Sequence, residues 1–427
     1  MTTEKPLYQA IDACRVCKSS DLVVFWSADQ QYIVNFPKDL QQPCAQAPIV
    51  LCMCENCGLV QLKHSVEPDY LYKEFFYRSG INEMMKAALR DVVTKAIDRC
   101  PLKSGDAVLD IGCNDGTLLW NYPDVIRRFG VDPAKNLQTP GLQKDGWEFI
   151  NDYFSEESCG GRQYKVITAV AMFYDLEDPV AFCLAIRKLL THDGIFVVQM
   201  NYLGTMLRTN GIDNVSHEHL CYYSLATLKA VFDRAGLRIF DVEINSVNGG
   251  SIRVYACRAG IFCKPVRAGV DVLLLQEHVA EFKKVETYRV FINKVKSNMK
   301  IVDHWIDRID KAGQVIHCYG ASTRGMTFLQ YLKNARKISI AAERDENKYG
   351  RYIAGTWQRI VPETTSRPVA DFYLCLPWHF WPAIQLRERE WMMHGGKFIV
   401  PFPDPKIFSI ANNLVVGSDV LTIEQPV

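Results

Sequence analysis

Three groups of residues in this 427-residue chain have the types and spacing to do chemistry. Cys14 and Cys17 form one C-x-x-C, and Cys54 and Cys57 form another. A tight turn at that spacing presents two sulfurs to one cation. Two such turns complete a closed tetrahedral zinc site of four thiolates, with no open position for reaction. The expectation is a structural zinc site. Chance pairing is the alternative in a chain with 15 cysteines, and Cys52 is the neighbour most easily mistaken for a ligand. The second group is the glycine turn in VLDIGCNDGTLL, residues 108–119, and the third is SHEHL, residues 216–220. SHEHL offers two imidazoles and a carboxylate, which suit a general base, a solvated loop or a metal site. The spacing is not H-E-x-x-H, and histidines at i and i+2 converge on one metal only from an extended strand, so the metal reading is the weakest of the three.

The turn reads as strand, glycine turn, helix. AVLDI ends the strand with Asp110 and Ile111, GCNDG makes the turn, and TLLW is expected to begin a helix. Gly112 and Gly116 let backbone approach a ligand closely, while the helix N-terminus with Asn114 and Asp115 can hold the polar groups of an amino-acid moiety. The spacing G-x-x-x-G differs from the G-x-G-x-x-G of dinucleotide binders, which favours S-adenosylmethionine over a pyrophosphate cofactor. Asp132, about twenty residues beyond the first strand in RRFGVDP, is placed to accept both hydroxyls of a ribose, although an acid there can also cap a helix. Asn151 and Asp152 would then reach the adenine edge, and Ala171, Met172 and the residues to Tyr174 would line the far side of the cofactor.

The elements that must position these groups alternate. Ile81–Arg99 carries apolar residues at helical spacing, and apolar strands follow at AVLDI, RRFGV, EFIND, YKVITAVAM and GIFVVQMNY, with PVAFCLAIRKLL as an intervening helix. RIFDVEIN and SIRVYACR form a terminal pair of strands, and Glu281–Asp310 is a long amphipathic helix. QVIHCYGAS, KISIAAERD, DFYLCLPW and KFIVPFP then read as a second open α/β unit. In GASTR, the turn after its first strand, Gly320, Ser322 and Arg324 offer backbone N–H groups, a hydroxyl and a guanidinium to an anion such as the pyrophosphate of a nucleotide. An ordinary corner with Ser322 as N-cap is the alternative. Arg351, Tyr352 and His379 would complete that pocket.

The expected architecture is α/β: a class I S-adenosylmethionine-dependent methyltransferase Rossmann-like sheet between a small zinc-binding module and a second Rossmann-like domain. The expected boundaries are 1–78 for the zinc module, 79–260 for the methyltransferase domain, 261–311 for a helical connector and 312–427 for a nucleotide-sugar-binding domain. With 49 Lys+Arg against 48 Asp+Glu, the chain lacks the positive surplus that binding nucleic acid demands, so a small-molecule substrate is expected. There is no basic segment leading into an apolar run at the N-terminus and no apolar stretch of membrane-spanning length, so a soluble, cytoplasmic protein is expected.

In CENCGLVQL, FFYRSGINEMM, VLDIGCNDGTLL, NVSHEHLCYYSL, VNGGSIRVYA, YGASTRGMTFLQY, RYIAGTWQRIVPE, LPWHFW and GGKFIVPFP, taken in order over nearly the whole chain, the sequence resembles the sugar C-methyltransferase family that acts on nucleotide-linked ketosugars. The resemblance implies methyl transfer to carbon, at C3 beside a C4 ketone. That reaction needs a positioned base to remove a C–H proton acidified by the ketone, and general-base help typically contributes about 100- to 10,000-fold. The resemblance assigns the base to His219, with Glu218 orienting it or binding a sugar hydroxyl and His217 polarising the developing enolate. Tyr77 matches a family position near the methyl donor and the sugar. Ser216 stands where the family commonly has tyrosine, a hydrogen-bonding role that Tyr222 or Tyr77 would have to supply. Arg324 stands where lysine is usual, and Met326 where asparagine is common. Methyl transfer to O or N of another small molecule, and an RNA methyltransferase with a zinc module, are the competing classes.

Overall fold

Glu83–Arg99 is an α-helix because its apolar residues recur at helical spacing: Leu89, Val92, Val93 and Ala96 are buried, while Arg99 closes the last turn where a cation is favoured. That face packs with Val108, Val166, Ile195 and Val197 of the central strands, so this helix and the sheet share one core. The computed structural model describes residues 6–73, 78–81, 83–137, 147–260, 264–411 and 414–418. Tyr77, assigned above to the methyl donor, lies outside them.

The chain divides into two units, Met1–Phe25 with Leu51–Gly204 and Glu218–Thr287, and Trp26–Val50 with Thr205–His217 and Tyr288–Val427. The first unit holds a seven-stranded sheet in the order Leu237–Asn245, Ser251–Arg258, Leu190–Asn201, Tyr164–Val170, Ala107–Ile111, Arg127–Val131, Trp147–Ile150. Neighbouring strands are parallel except at Ser251–Arg258, which is antiparallel to both of its neighbours. Strand order reverses at Ala107–Ile111, so the carboxyl ends of this strand, Arg127–Val131 and Tyr164–Val170 meet at the topological switch point where open α/β sheets bind ligands. In the same unit, Val60–Leu62 pairs antiparallel with Leu51–Met53 on one side and with Cys221–Tyr222 on the other.

The second unit carries another seven-stranded sheet, in the order Arg359–Pro362, Ile340–Glu343, Ile316–Tyr319, Phe372–Cys375, Lys397–Val400, Lys406–Ala411, Leu414–Ser418. Its first five strands are parallel, and the last two are antiparallel additions.

Two expected elements differ. The residues after the glycine turn form only a short 3-10 turn, Leu119–Asn121, not an α-helix. Pro123 disfavours helical backbone at Tyr122 and stops the element there. The long amphipathic helix begins at Val285 rather than Glu281, because Glu281 has a positive φ of 56° and breaks the chain from a preceding helix, Ala268–Val279, that the sequence reading did not separate. No described helix is long and apolar enough to cross a membrane.

Candidate active site

The Sγ atoms of Cys14, Cys17, Cys54 and Cys57 lie within 4.8 Å of one another. Cys14 and Cys57 are 3.6 Å apart, and Cys17 and Cys54 are 3.4 Å apart. Four sulfurs at about 2.3 Å from one tetrahedral ion would be about 3.8 Å apart, so the cluster fits zinc with little adjustment. The contact with Cys57 lowers the buried Cys14 thiol, while that same contact raises Cys57 and burial raises Cys54, so the four thiols ionise together only where a cation offsets their mutual repulsion. Cys52 is excluded from the set: its buried Sγ points to the Gln61 carbonyl at 3.5 Å.

The glycine turn is built as its residue types require. Gly112 and Gly116 have φ of 66° and 79°, and Asn114 joins them at 53°. A Cβ on Gly112 would stand 3.0 Å from Met172, and one on Gly116 would stand 2.6 Å from the Trp147 ring. The polar side chains of the turn reach back to the segment before the first long helix: Asn114 Oδ1 accepts the Ser79 N–H at 3.0 Å, and Asp115 Oδ2 accepts the Gly80 N–H at 2.8 Å. Asp115 also accepts the Thr117 hydroxyl at 2.6 Å.

Asp132 is buried, and its two oxygens accept the N–H groups of Asn114 and Ala134, each at 2.9 Å. Each oxygen keeps a second lone pair for a ribose hydroxyl. Asp110 lies below the turn, where burial pushes it up to about 7 and the Thr168 hydroxyl donates to it at 2.5 Å. This makes it a support of the turn rather than an exposed contact. The Asn151 amide donates to the Asp132 carbonyl at 2.9 Å, while Asp152 accepts the Tyr153 N–H at 2.7 Å.

Tyr164–Val170 ends in Ala171, held at φ 55° with its N–H on the Gln199 carbonyl at 2.7 Å. Met172, next along, faces Gly112. Two residues further, the Tyr174 ring lies 4.2 Å from the His219 ring, centroid to centroid, at 54°. The loop 171–175 therefore touches the glycine turn at one end and His219 at the other. It also carries Asp175, which the sequence reading missed. Oδ1 of Asp175 is buried with no hydrogen-bond partner among the described residues. Burial, and then the nearby Glu218 carboxylate, raise Asp175 well above the usual carboxylate range.

Glu218 is pushed up to about 7 by burial, and its carbonyl accepts the Tyr72 hydroxyl at 3.3 Å. Asp175 and Glu218 are partly exposed as residues while their carboxyls are desolvated, as expected of acids lining a recess rather than filling a core. The signal for Asp175 was its place at the carboxyl end of a central strand, as for Asp110 and Asp132. In D-L-E-D-P it reads instead as the lead-in to a helix, a duty that Asp178 performs by accepting the Ala181 N–H at 2.9 Å.

The role given to His217 is corrected. It is buried at 3% exposure, its Nε2 is 2.8 Å from the Ala47 carbonyl, and burial lowers it to about 4. A neutral ring committed to a backbone carbonyl is a structural tie, so it does not polarise an enolate. The unit boundary falls between His217 and Glu218. Ser216 is buried, and Tyr222 is buried in the strand paired with Val60–Leu62.

In the second unit, the turn Gly320–Ser322 has more of its groups engaged than the anion-site expectation allowed. Ser322 caps the helix Thr323–Tyr331 by accepting the Gly325 N–H at 3.0 Å, and the Ala321 N–H goes to Glu343 at 2.7 Å. Arg324 forms an ion pair with buried Asp213 at 2.7 Å, and Trp378 Nε1 donates to the same carboxylate at 2.9 Å. With the Tyr331 hydroxyl on the Val215 carbonyl at 2.6 Å, these contacts fix the segment leading into Ser216. Arg351 donates to the carbonyls of Phe36 and Asn347, and the Tyr352 N–H donates to Pro37. His379 is driven well below its ordinary value by burial and by Arg324, and its Nδ1 has no partner among the described residues.

Comparison with known proteins adds three matches in chain order: a zinc binding domain over residues 14–72, a methyltransferase domain over 81–242 and a C-methyltransferase C-terminal domain over 246–403. The C-methyltransferase NovU of Streptomyces niveus is 30% identical over 420 residues, covering 96% of this chain and 99% of its own. Among solved structures, an S-adenosylmethionine-dependent methyltransferase from Clostridium acetobutylicum matches at 13% identity with a TM-score of 0.33, over 41% of this chain and 92% of its own. Magnesium protoporphyrin IX methyltransferase from Synechocystis, with bound S-adenosylmethionine, matches at 14% identity and a TM-score of 0.33, over 41% of this chain and 79% of its own.

Proposed function

The chain belongs to the S-adenosylmethionine-dependent C-methyltransferase family whose members join a zinc module, a methyltransferase domain and a C-terminal C-methyltransferase domain, and from that premise we propose that it methylates carbon beside the ketone of a nucleotide-linked ketosugar, at C3 next to a C4 ketone, in deoxysugar biosynthesis. The observation that carries this reading is the loop 171–175, which spans from the glycine turn at Met172 to His219 at Tyr174. An imidazole against the loop that borders the glycine turn can take a proton from carbon beside a ketone, which supports this reading.

S-adenosylmethionine supplies an electrophilic methyl group on a sulfonium. Asp132, Asn114 and Asp115 would hold its polar parts, with Asn151, Asp152, Ala171 and Met172 along the adenine and far side. An imidazole nitrogen of His219 takes the proton from the carbon beside the ketone, and the C–H electron pair becomes the enolate. Glu218 and Asp175, whose carboxyls burial raises, supply a carboxylic O–H to the enolate oxygen from their protonated forms, the role that His217 does not fill. In the second unit, Gly320, Ser322, Arg324, Arg351, Tyr352 and His379 are the candidates for the nucleotide part, although Arg324 and Arg351 are engaged by Asp213 and by backbone carbonyls.

The test is solvent exchange. In deuterated water, with a 4-keto-6-deoxyhexose nucleotide and no methyl donor, wild-type enzyme exchanges the acidic C–H. His219→Ala slows that exchange by about 100-fold or more while binding S-adenosylmethionine normally. Unchanged exchange in the variant refutes the base, and methyl found on oxygen by product fragmentation refutes the reaction class.

A further inference from the structure

Arg15 sits between the two cysteines of the first C-x-x-C and is almost wholly buried, at 3% exposure. A buried guanidinium needs every donor satisfied. Here the donors reach outward from the thiolate cluster: Nε to Glu177 at 3.1 Å, Nη1 to the Leu62 carbonyl at 2.6 Å and Nη2 to the Ser65 hydroxyl at 2.7 Å. Its own N–H reaches the Gln61 side chain at 3.1 Å. Lys18, one residue past the second cysteine, reinforces the tie by donating to Asp178 at 3.0 Å.

Glu177 is two residues from Asp175 and three from Tyr174, the ring against His219. On the other side, the Leu62 N–H donates to the Leu220 carbonyl at 2.9 Å, and Gln61 pairs with Cys221, so the strand held by Arg15 also holds the residues directly after Glu218 and His219. A closed four-thiolate site has no reaction of its own to perform. Its buried Arg15 side chain nevertheless reaches the segment after Asp175 directly, at Glu177, and the residues after His219 through the strand Val60–Leu62.

We propose that Arg15 is a positioning residue: it transmits the fixed geometry of the thiolate cluster to the loop 172–178 and to residues 218–222, and so sets the distance between the carboxyls, His219 and the methyl donor. The planar guanidinium is what suits arginine to the task, since one head group must hold a carboxylate and a backbone carbonyl at a fixed angle, which an ammonium cannot do. The inference rests on the proposed carbon methylation only for its catalytic consequence.

The experiment compares zinc-loaded wild type with Arg15→Gln and Arg15→Lys. It measures zinc per chain, S-adenosylmethionine titration, amide hydrogen exchange by peptide, and solvent exchange of a nucleoside diphosphate 4-keto-6-deoxyglucose. Both variants keep one zinc per chain and bind the methyl donor as wild type does. In Arg15→Gln, amide exchange rises about ten-fold in peptides covering 60–66, 172–178 and 218–222 and not in the rest of the unit, with Arg15→Lys between it and wild type. Sugar C–H exchange in Arg15→Gln falls about 100-fold in kcat with KM little changed, the size expected of an ångström-scale misplacement of reacting groups.

Loss of zinc in step with activity, or a rise in amide exchange spread over the whole unit, would make Arg15 merely structural and overturn the proposal. Unchanged exchange in the peptides covering 172–178 and 218–222 overturns it equally. Should wild type fail to exchange the sugar C–H, the carbon-methylation reading fails, and the amide-exchange comparison still decides whether Arg15 holds these two segments.

Discussion

Glu218 is the residue whose protonation the structure most directly ties to both stability and reaction. Burial raises its carboxyl from 4.5 to about 7. Below the unfolded value the group is protonated in both states and contributes no slope. Between 4.5 and about 7 the folded chain holds a proton that the unfolded chain has released, so stability is lost as pH rises through that window, and above it the slope vanishes. At about 1.4 kcal/mol per pKa unit, a shift of this size corresponds to about 3 kcal/mol at most. Glu218→Gln preserves the shape of the side chain and cannot ionise. Its stability relative to wild type should therefore improve by up to about 3 kcal/mol between pH 4.5 and pH 8. Asp110 and Asp132, also raised by burial, titrate in both proteins and cancel in the difference. Asp175 does not cancel fully, because its own elevation includes the Glu218 charge, so Asp175→Asn added to Glu218→Gln should fall short of the sum of the two single effects. The assay is urea unfolding of both proteins across that pH range, with solvent exchange of the ketosugar followed in parallel. Exchange in wild type should decline as pH rises past 7 if a neutral carboxyl serves the enolate. A wild-type-to-variant stability difference that is flat with pH would refute the assignment of Glu218 as a desolvated, proton-holding acid.

Gly116→Ala should destabilise the protein by about 1–3 kcal/mol and abolish measurable methyl-donor binding, because the new Cβ meets Trp147 at 2.6 Å at a φ of 79°. Gly105→Ala is the control, since its φ of 85° carries strain but nothing lies within 4 Å, and it should lose only about 1 kcal/mol and leave calorimetric titration with S-adenosylmethionine unchanged. Asp213→Asn leaves Arg324 without its charge partner while keeping an acceptor for Trp378, and should destabilise by about 3 kcal/mol in denaturant unfolding. A loss below about 0.5 kcal/mol would mean that the pair is solvent-relaxed rather than buried.

The seven strands of the first sheet and four of the second were legible because each is a short apolar run closed by a turn residue, whereas Arg359–Pro362, Lys406–Ala411 and Leu414–Ser418 were not read as strands; the reversal of order at Ala107–Ile111 follows from where the glycine turn stands. The four cysteines were legible because C-x-x-C is a local geometry, needing no knowledge of the fold. The missing helix after the turn was a contest between an apolar pattern, T-L-L-W, and a proline three residues later, and the proline prevailed. Arg324 and Asp213 were out of reach for a different reason. They are 111 residues apart, and a cation at a strand–helix corner looks the same in sequence whether it awaits an anion or already has one.

The two histidines of SHEHL carry that distinction furthest. As an extended segment, His217 and His219 would face the same way and could share one task, which is how the sequence invites a base and an electrophile side by side. The chain instead turns at His217 and Glu218, and the two rings part. His217 goes to the Ala47 carbonyl, and His219 goes to the Tyr174 ring. Once they part, a second proton-bearing group must come from elsewhere if an enolate oxygen is to be stabilised. Two groups with the right character are carboxyls that burial raises, Glu218 from the turn itself and Asp175 from the loop that Tyr174 anchors.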